Sequence, residues 1–205
     1  MPKIVDRREK RNQILQAALN VFSSKGFDNS KMADIARQAG IGKGTIYEYF
    51  KSKKEVFSEL FLFLFRDFDR EFERRLTGVS DPVEKLRLIV RIYFVDFIEQ
   101  YGDFVKIVIE FWTAEIRSEN NWQVQDLNLA AIYDHYTRLI AEVIEDGVRQ
   151  KRFRPVDARR YAAMLLGLFD GMYLQLFLNV NRTSPEDMAQ SILELFLNAL
   201  TNTKK

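Results

Sequence analysis

Residues 40–53 read GIGKGTIYEYFKSK, three glycines, three lysines and a Tyr-x-Tyr pair in fourteen positions. Such a stretch could be a phosphate-binding loop, a hairpin turn or a DNA-reading helix. A phosphate loop needs G-x-x-x-x-G-K, then Ser or Thr, after a strand. Here Gly44 follows Gly42-Lys43 and an amphipathic helix comes before, so the nucleotide reading fails. Nine glycines and four prolines in 205 residues leave few turns and long elements, which favours helices over a many-stranded β fold.

What fits is a helix-turn-helix: a short helix, a glycine turn, and a second short helix shaped for the major groove. The first of the pair is SKMADIARQAG, with Ser30 as expected N-cap and Gly40 as stop. Ile41 reads as the apolar plug between the two. On the second helix Ile46 and Phe50 are four apart and face inward with Ile35 and Ala36. Lys43, Thr45, Tyr47, Glu48 and Tyr49 are left on or near the outer surface. Gly44, lacking a side chain, lets the helix approach DNA closely. The tyrosine hydroxyls and Lys53 can reach phosphates, while Lys43 and Tyr47 can reach base edges.

The rest of the chain reads as helices too. Apolar residues at Ile14, Leu15, Ala18, Leu19, Val21 and Phe22 predict a helix over 7–25, ended by Gly26. Ser52 and Glu55 open a long helix whose stripe runs Phe57, Phe61, Leu64, Phe68, Phe72, Leu76. Asp81-Pro82 starts the next, expected to run to about Tyr101. Further helices are expected over about 103–117 and 122–150, then from Asp157 to Asn181 and from Ser184 to Asn202. The expectation is an all-α fold of about nine helices. Residues 1–54 form a helix-turn-helix DNA-binding domain and 55–205 a larger helical domain.

Charge supports that division. Residues 1–54 carry 12 Lys/Arg against 5 Asp/Glu, whereas 55–205 carry 19 against 24. A basic head on an acidic body points to a polyanionic partner, double-stranded DNA. The chain has no cysteine, which excludes disulfides and thiolate sites and suits a reducing cytoplasm. The one membrane-like run, Tyr161 to Val180, has Asp170 at its middle, costing about 2.5–3.5 kcal/mol in a bilayer. It is read as a helix buried in protein, with no membrane partner.

The stretch Ile14 to Phe57 resembles the DNA-binding domain of the TetR (tetracycline-repressor) family of bacterial transcriptional regulators. The resemblance is carried by A-x-x-x-F ending in G-F, by D-I-A-x-x-A-G and by G-T-I-Y-x-Y-F-x-x-K. It implies that Lys43, Gly44, Thr45, Tyr47, Tyr49 and Lys53 fall on DNA-contact positions. Lys31 stands where the family commonly has Thr or Ser, and can take over a phosphate contact. The resemblance further implies a ligand-binding body and a homodimer built from the last two helices. Gly167 and Gly171, one turn apart, permit close helix approach, and the stripe Leu193, Phe196, Leu197 and Leu200 needs a cover.

A pocket would lie where aromatics gather: Phe94, Phe97, Phe104, Phe111, Trp112, Tyr133, Tyr136, Phe169 and Tyr173. Phe97, Phe111, Trp112, Tyr133, Tyr136, Phe169 and Tyr173 are the expected lining, apolar with a few hydroxyls, for a hydrophobic small-molecule effector. No enzyme assembles. His135 is the chain's one histidine and reads as a satisfied polar group at the core's edge, while Glu110 and Glu115 do not face each other on a helix. No catalytic residue, metal site or cofactor is expected. The reading is a ligand-responsive repressor that binds a palindromic operator as a homodimer and is released by a hydrophobic small molecule. The alternative is a helical small-molecule-binding or interaction protein without specific DNA binding.

Overall fold

The computed structural model describes residues 7–102, 105, 107–109, 128–178 and 183–201. Every regular element among them is helical: α1 Arg7–Lys25, α2 Met32–Gln38, α3 Lys43–Tyr49, α4 Lys53–Leu76 and α5 Pro82–Val90, a π-helical stretch Arg91–Asp96, then α6 Leu129–Arg149, α7 Ala158–Phe177 and α8 Pro185–Leu200. They form two compact units, Met1–Asp67 with Asp103–Leu127, and Phe68–Gly102 with Asn128–Lys205. α4 contributes residues to both.

In the first unit, α1 packs on α2 and α2 on α3. Ile14, Ala18, Phe22, Ile35, Ile46 and Phe50 are all fully buried, so the inward face of α3 is the one its spacing predicts. Gly26 and Gly40 have φ of +72° and +65°, the left-handed conformation their helix-ending positions require. The start of α2 differs from expectation. Ser30 is not the N-cap, because its hydroxyl is turned back onto the Gly26 carbonyl (2.5 Å). Lys31 is the cap residue in extended conformation, and its backbone N–H donates to the Asp34 carboxylate at 3.2 Å.

Two cations staple this unit. The Arg11 guanidinium lies 4.4 Å over the Phe50 ring, donates to the Tyr49 carbonyl at 2.7 Å and pairs with Glu59. The Lys53 ammonium donates to the carbonyls of Phe27, Asp28 and Ser30 at 2.5, 3.1 and 2.8 Å. An ammonium has three donors, and these carbonyls take all of them.

In the second unit α6 packs most extensively against α7, and α8 lies against α5, α7 and the π-helical stretch. Capping follows the sequence signals. Asp81, Asp157 and Ser184 accept from the N–H groups of Val83, Arg160 and Asp187. α6 begins at Leu129, where Asn128 caps it through the Ala131 N–H; residues 122–127 of the expected helix lie outside the described residues.

The turn after α6 folds Phe153 back onto the helix, where its N–H reaches the Gly147 carbonyl. A Cβ on Gly147 would fall 1.9 Å from the Phe153 ring. Gly147→Ala should therefore lower stability by about 1–3 kcal/mol, the usual cost of overpacking, even though alanine is the better helix former by about 1 kcal/mol. Urea denaturation of the variant tests the sign.

Candidate nucleic-acid interface and effector site

α3 is fixed by Ile46 and Phe50 on its buried side, which decides what it presents outward. Lys43, Gly44, Tyr47 and Glu48 are exposed, and Thr45 and Tyr49 are half-exposed. Tyr47 is 49% exposed, high for a large ring on a short helix. Among the described residues neither its hydroxyl nor the Lys43 ammonium has a partner. The Tyr49 ring carries the Arg7 guanidinium at 5.9 Å. Lys31 is exposed at the start of α2 and its ammonium is likewise unengaged among the described residues. Lys53 is placed differently from these: its ammonium is turned inward onto three carbonyls and over the Phe27 ring at 4.3 Å, and burial lowers its pKa.

Gly44 is instructive because nothing lies within 4 Å of the Cβ it lacks. The chain itself has no steric need for glycine there, yet glycine in a helix costs about 1 kcal/mol relative to alanine.

The second unit holds a cluster of rings centred on Tyr93. Tyr93 stacks on Phe169 with centroids 4.7 Å apart, and meets Phe68 and Tyr136 edge-on at 5.6 and 6.0 Å. Phe94 stacks on Tyr173 at 5.0 Å, and Phe97 meets Phe68 at 5.4 Å. The structure thus brings together Phe97, Tyr136, Phe169 and Tyr173 of the expected lining. Tyr133 joins through its hydroxyl, which donates to Asp170 at 2.7 Å. Phe104, Phe111 and Trp112 lie outside the described residues.

Two carboxylates within this aromatic surround went unread as site residues. Asp69 on α4 accepts from the Tyr136 hydroxyl at 2.7 Å and lies 3.6 Å from His135 Nε2. Asp170 on α7 meets one donor among the described residues, Tyr133. Burial pushes its carboxyl up to about 6, and the Tyr133 hydrogen bond offsets this only in part. Burial first, and then the field of Asp170, raises the pKa of Tyr93 and Tyr133; for Tyr173 burial again leads, followed by Tyr93 and then Asp170, so all three rings stay neutral. The signal available in the sequence was the isolation of Asp170 in an otherwise uncharged run.

On the outer face of α7, Met164, Leu174 and Leu178 are 59%, 46% and 65% exposed. Gly167 and Gly171 lie between them, also exposed, with nothing within 4 Å of an added Cβ. On α8, by contrast, Leu193, Phe196 and Leu200 are buried within their own chain, Leu197 is half-buried, and Leu195 points out.

Residues 14–60 match the family model for bacterial regulatory proteins of the tetR family, and residues 82–201 match that for the C-terminal domain of BetI-type transcriptional repressors. The chain belongs to the TetR family. It is a DNA-binding transcriptional repressor with a BetI-type ligand-binding body, which sets aside the alternative of a helical protein without DNA contact. TetR-family proteins are regulators rather than enzymes. Among relatives, the fatty acid metabolism regulator protein of Bacillus subtilis is 26% identical over 96% of this chain and 98% of its own. The BetI regulator of Agrobacterium fabrum is 31% identical over 85% and 80%. A regulator from Saccharomonospora viridis, solved with choline, shares the fold with a TM-score of 0.83 at 24% identity, covering 95% of this chain and 99% of that one. The FadR regulator of Bacillus subtilis, solved with stearoyl-CoA, has a TM-score of 0.75 at 25% identity over 91% and 97%. Among the described residues of this TetR-family protein, no helix is long and apolar enough to cross a membrane, α7 included.

Proposed function

We propose that this repressor binds a palindromic operator as a homodimer and is released from it by an organic cation with an apolar body. The DNA reading is carried by the outward face of α3. Lys43 and Tyr47 have free polar ends aimed away from the fold, and Gly44 is a costly glycine that its own chain does not explain. A neighbour outside the chain explains it, namely the wall of the major groove. Lys43 and Tyr47 read base edges, while Lys31, Thr45 and Tyr49 serve phosphates. Lys53 holds the loop that carries α2 in position. Two copies of α3 enter successive major grooves about 34–36 Å apart. The α7 stripe supplies the pairing surface that holds them.

The effector reading is carried by Asp170. A half-buried carboxylate with one hydrogen bond among the described residues, set beside Tyr93, Tyr133 and Tyr173, is a poor resting state and a good seat for a cation. Aromatic faces attract cations as well, by about 0.5–2 kcal/mol each. The rings supply the apolar contact that the sequence calls for, and the carboxylate adds the charge preference. A long acyl chain is the second reading, supported by the full-length likeness to the fatty acid regulator.

Operator DNA from upstream of the gene, labelled for fluorescence anisotropy, tests both. Choline and a long-chain acyl-CoA serve as probes. Choline should release DNA, and Asp170→Asn should weaken that release at least about tenfold. With a carboxyl pKa raised to about 6, the ionised form that pairs with a cation is lost as pH falls. Choline affinity should then drop about tenfold per pH unit below 6 and level off above 7. Release by acyl-CoA alone, flat with pH, would favour the second reading.

A further inference from the structure

In an α-helix the Phe97 N–H would donate to the Tyr93 carbonyl, four residues back. It donates instead to the Ile92 carbonyl, five back, at the end of the π-helical stretch. The inserted residue strips the Tyr93 carbonyl of its α-helical donor, and the Tyr173 hydroxyl, coming from α7, supplies the replacement. Single π-helical turns of this kind are uncommon and cluster at functional positions.

This stretch touches two things at once. Its Tyr93 and Phe94 rings stack on Phe169 and Tyr173, the α7 residues that flank Asp170. Its last residue, Asp96, pairs with Arg75 in the final turn of α4 and lies 3.4 Å from Arg91. α4 is the helix that begins at Lys53, beside the DNA-reading elements in sequence.

We propose that Arg91–Asp96 is a two-state register switch, held in the π register by the Tyr173 hydroxyl and released when an effector seated at Asp170 displaces that hydroxyl. The Phe97 N–H then takes back the Tyr93 carbonyl and the helix returns to α geometry. Removing one residue from the turn rotates the residues beyond it by roughly 100° and shifts them by about 1.5 Å. That movement draws Asp96 away from Arg75 and frees the end of α4. The coupling is thus assigned to a discrete element that both the effector and α4 bias. It rests on the reading of Asp170 as the effector seat and of the ligand-free state as the DNA-binding one. Tyr173 acts here as a positioning residue.

Tyr173→Phe keeps the ring and its stacking and removes only the donor. Tyr161→Phe, which deletes a hydroxyl held by Arg154 elsewhere on α7, is the control. Hydrogen exchange by mass spectrometry on peptides covering 91–102 should change about tenfold in Tyr173→Phe, as Arg91–Asp96 leaves the π register, and stay unchanged in the control. Operator affinity without effector should fall about tenfold in Tyr173→Phe alone. Unchanged exchange would overturn the latch. Altered exchange with wild-type operator affinity would overturn its coupling to DNA. A wild-type protein that bound no operator would instead sink the DNA reading above, and the exchange result would still decide the latch.

Discussion

Leu174→Arg should turn the protein into a monomer and lower its operator affinity by about 10²–10⁴-fold. Met164, Gly167, Gly171, Leu174 and Leu178 follow the alternating three-and-four spacing of a packing seam. All five are exposed, and the two glycines leave room for a second helix to come close. Around a two-fold axis the same stripe meets itself, so one substitution places two arginines in one interface. Once one head is bound, the second engages at the high effective concentration set by the tether, and losing that gain weakens binding by the quoted range. The fold itself should survive, because Leu174 is 46% exposed. Analytical ultracentrifugation and anisotropy measure the two effects. A variant that stays dimeric, or a monomer with undiminished affinity, would sink this assignment. Phe196→Ala makes the contrasting case: Phe196 is buried in its own chain, so the expected loss is one of stability, about 3–5 kcal/mol.

The second large effect belongs to α3. Tyr47→Ala should weaken operator binding by about 1–3 kcal/mol, roughly 5–150-fold, while binding to unrelated DNA changes little. Lys43→Ala should act in the same direction, weakening the operator far more than unrelated DNA. Lys53→Met should behave in a different way, because its ammonium serves three carbonyls of the loop before α2. It should lower the melting temperature first, and lose specific and non-specific DNA binding only as the head unfolds. Equal losses on every DNA for Tyr47→Ala and Lys43→Ala would mean that these side chains touch phosphate and not bases.

Local patterns made most of the head legible. Helix ends are written by cap residues and left-handed glycines within a few positions, so Gly26, Gly40, Asp81, Asp157 and Ser184 could be read directly. The buried face of α3 follows from the four-residue spacing of Ile46 and Phe50. Ser30 shows the limit: serine is a good N-cap by type, but its hydroxyl had a nearer acceptor in the Gly26 carbonyl. Lys53 shows it again, since a lysine beside a recognition helix has the composition of a phosphate contact and the geometry of a staple.

The effector cluster was only half legible. Ile92, Phe94 and Val95 are buried and Tyr93 is half-buried, because the stretch is packed on several sides at once. The π-helical stretch shifts the register there by one residue, and no local rule announces it. Asp69 and Asp170 are remote in sequence, and only the packing of α4, α6 and α7 brings each within reach of a tyrosine hydroxyl.

The sequence by itself determined the helical class, the helix-turn-helix and the residues that α3 turns outward, since these depend on neighbours within a few positions. Tertiary structure alone decided which stripe of the last two helices is left uncovered, where the Lys53 charge is directed, and which carboxylate sits among the rings with a tyrosine hydroxyl as its partner. Those outcomes depend on which surfaces meet across long separations, and a side chain's type cannot say whether its own fold has already covered it.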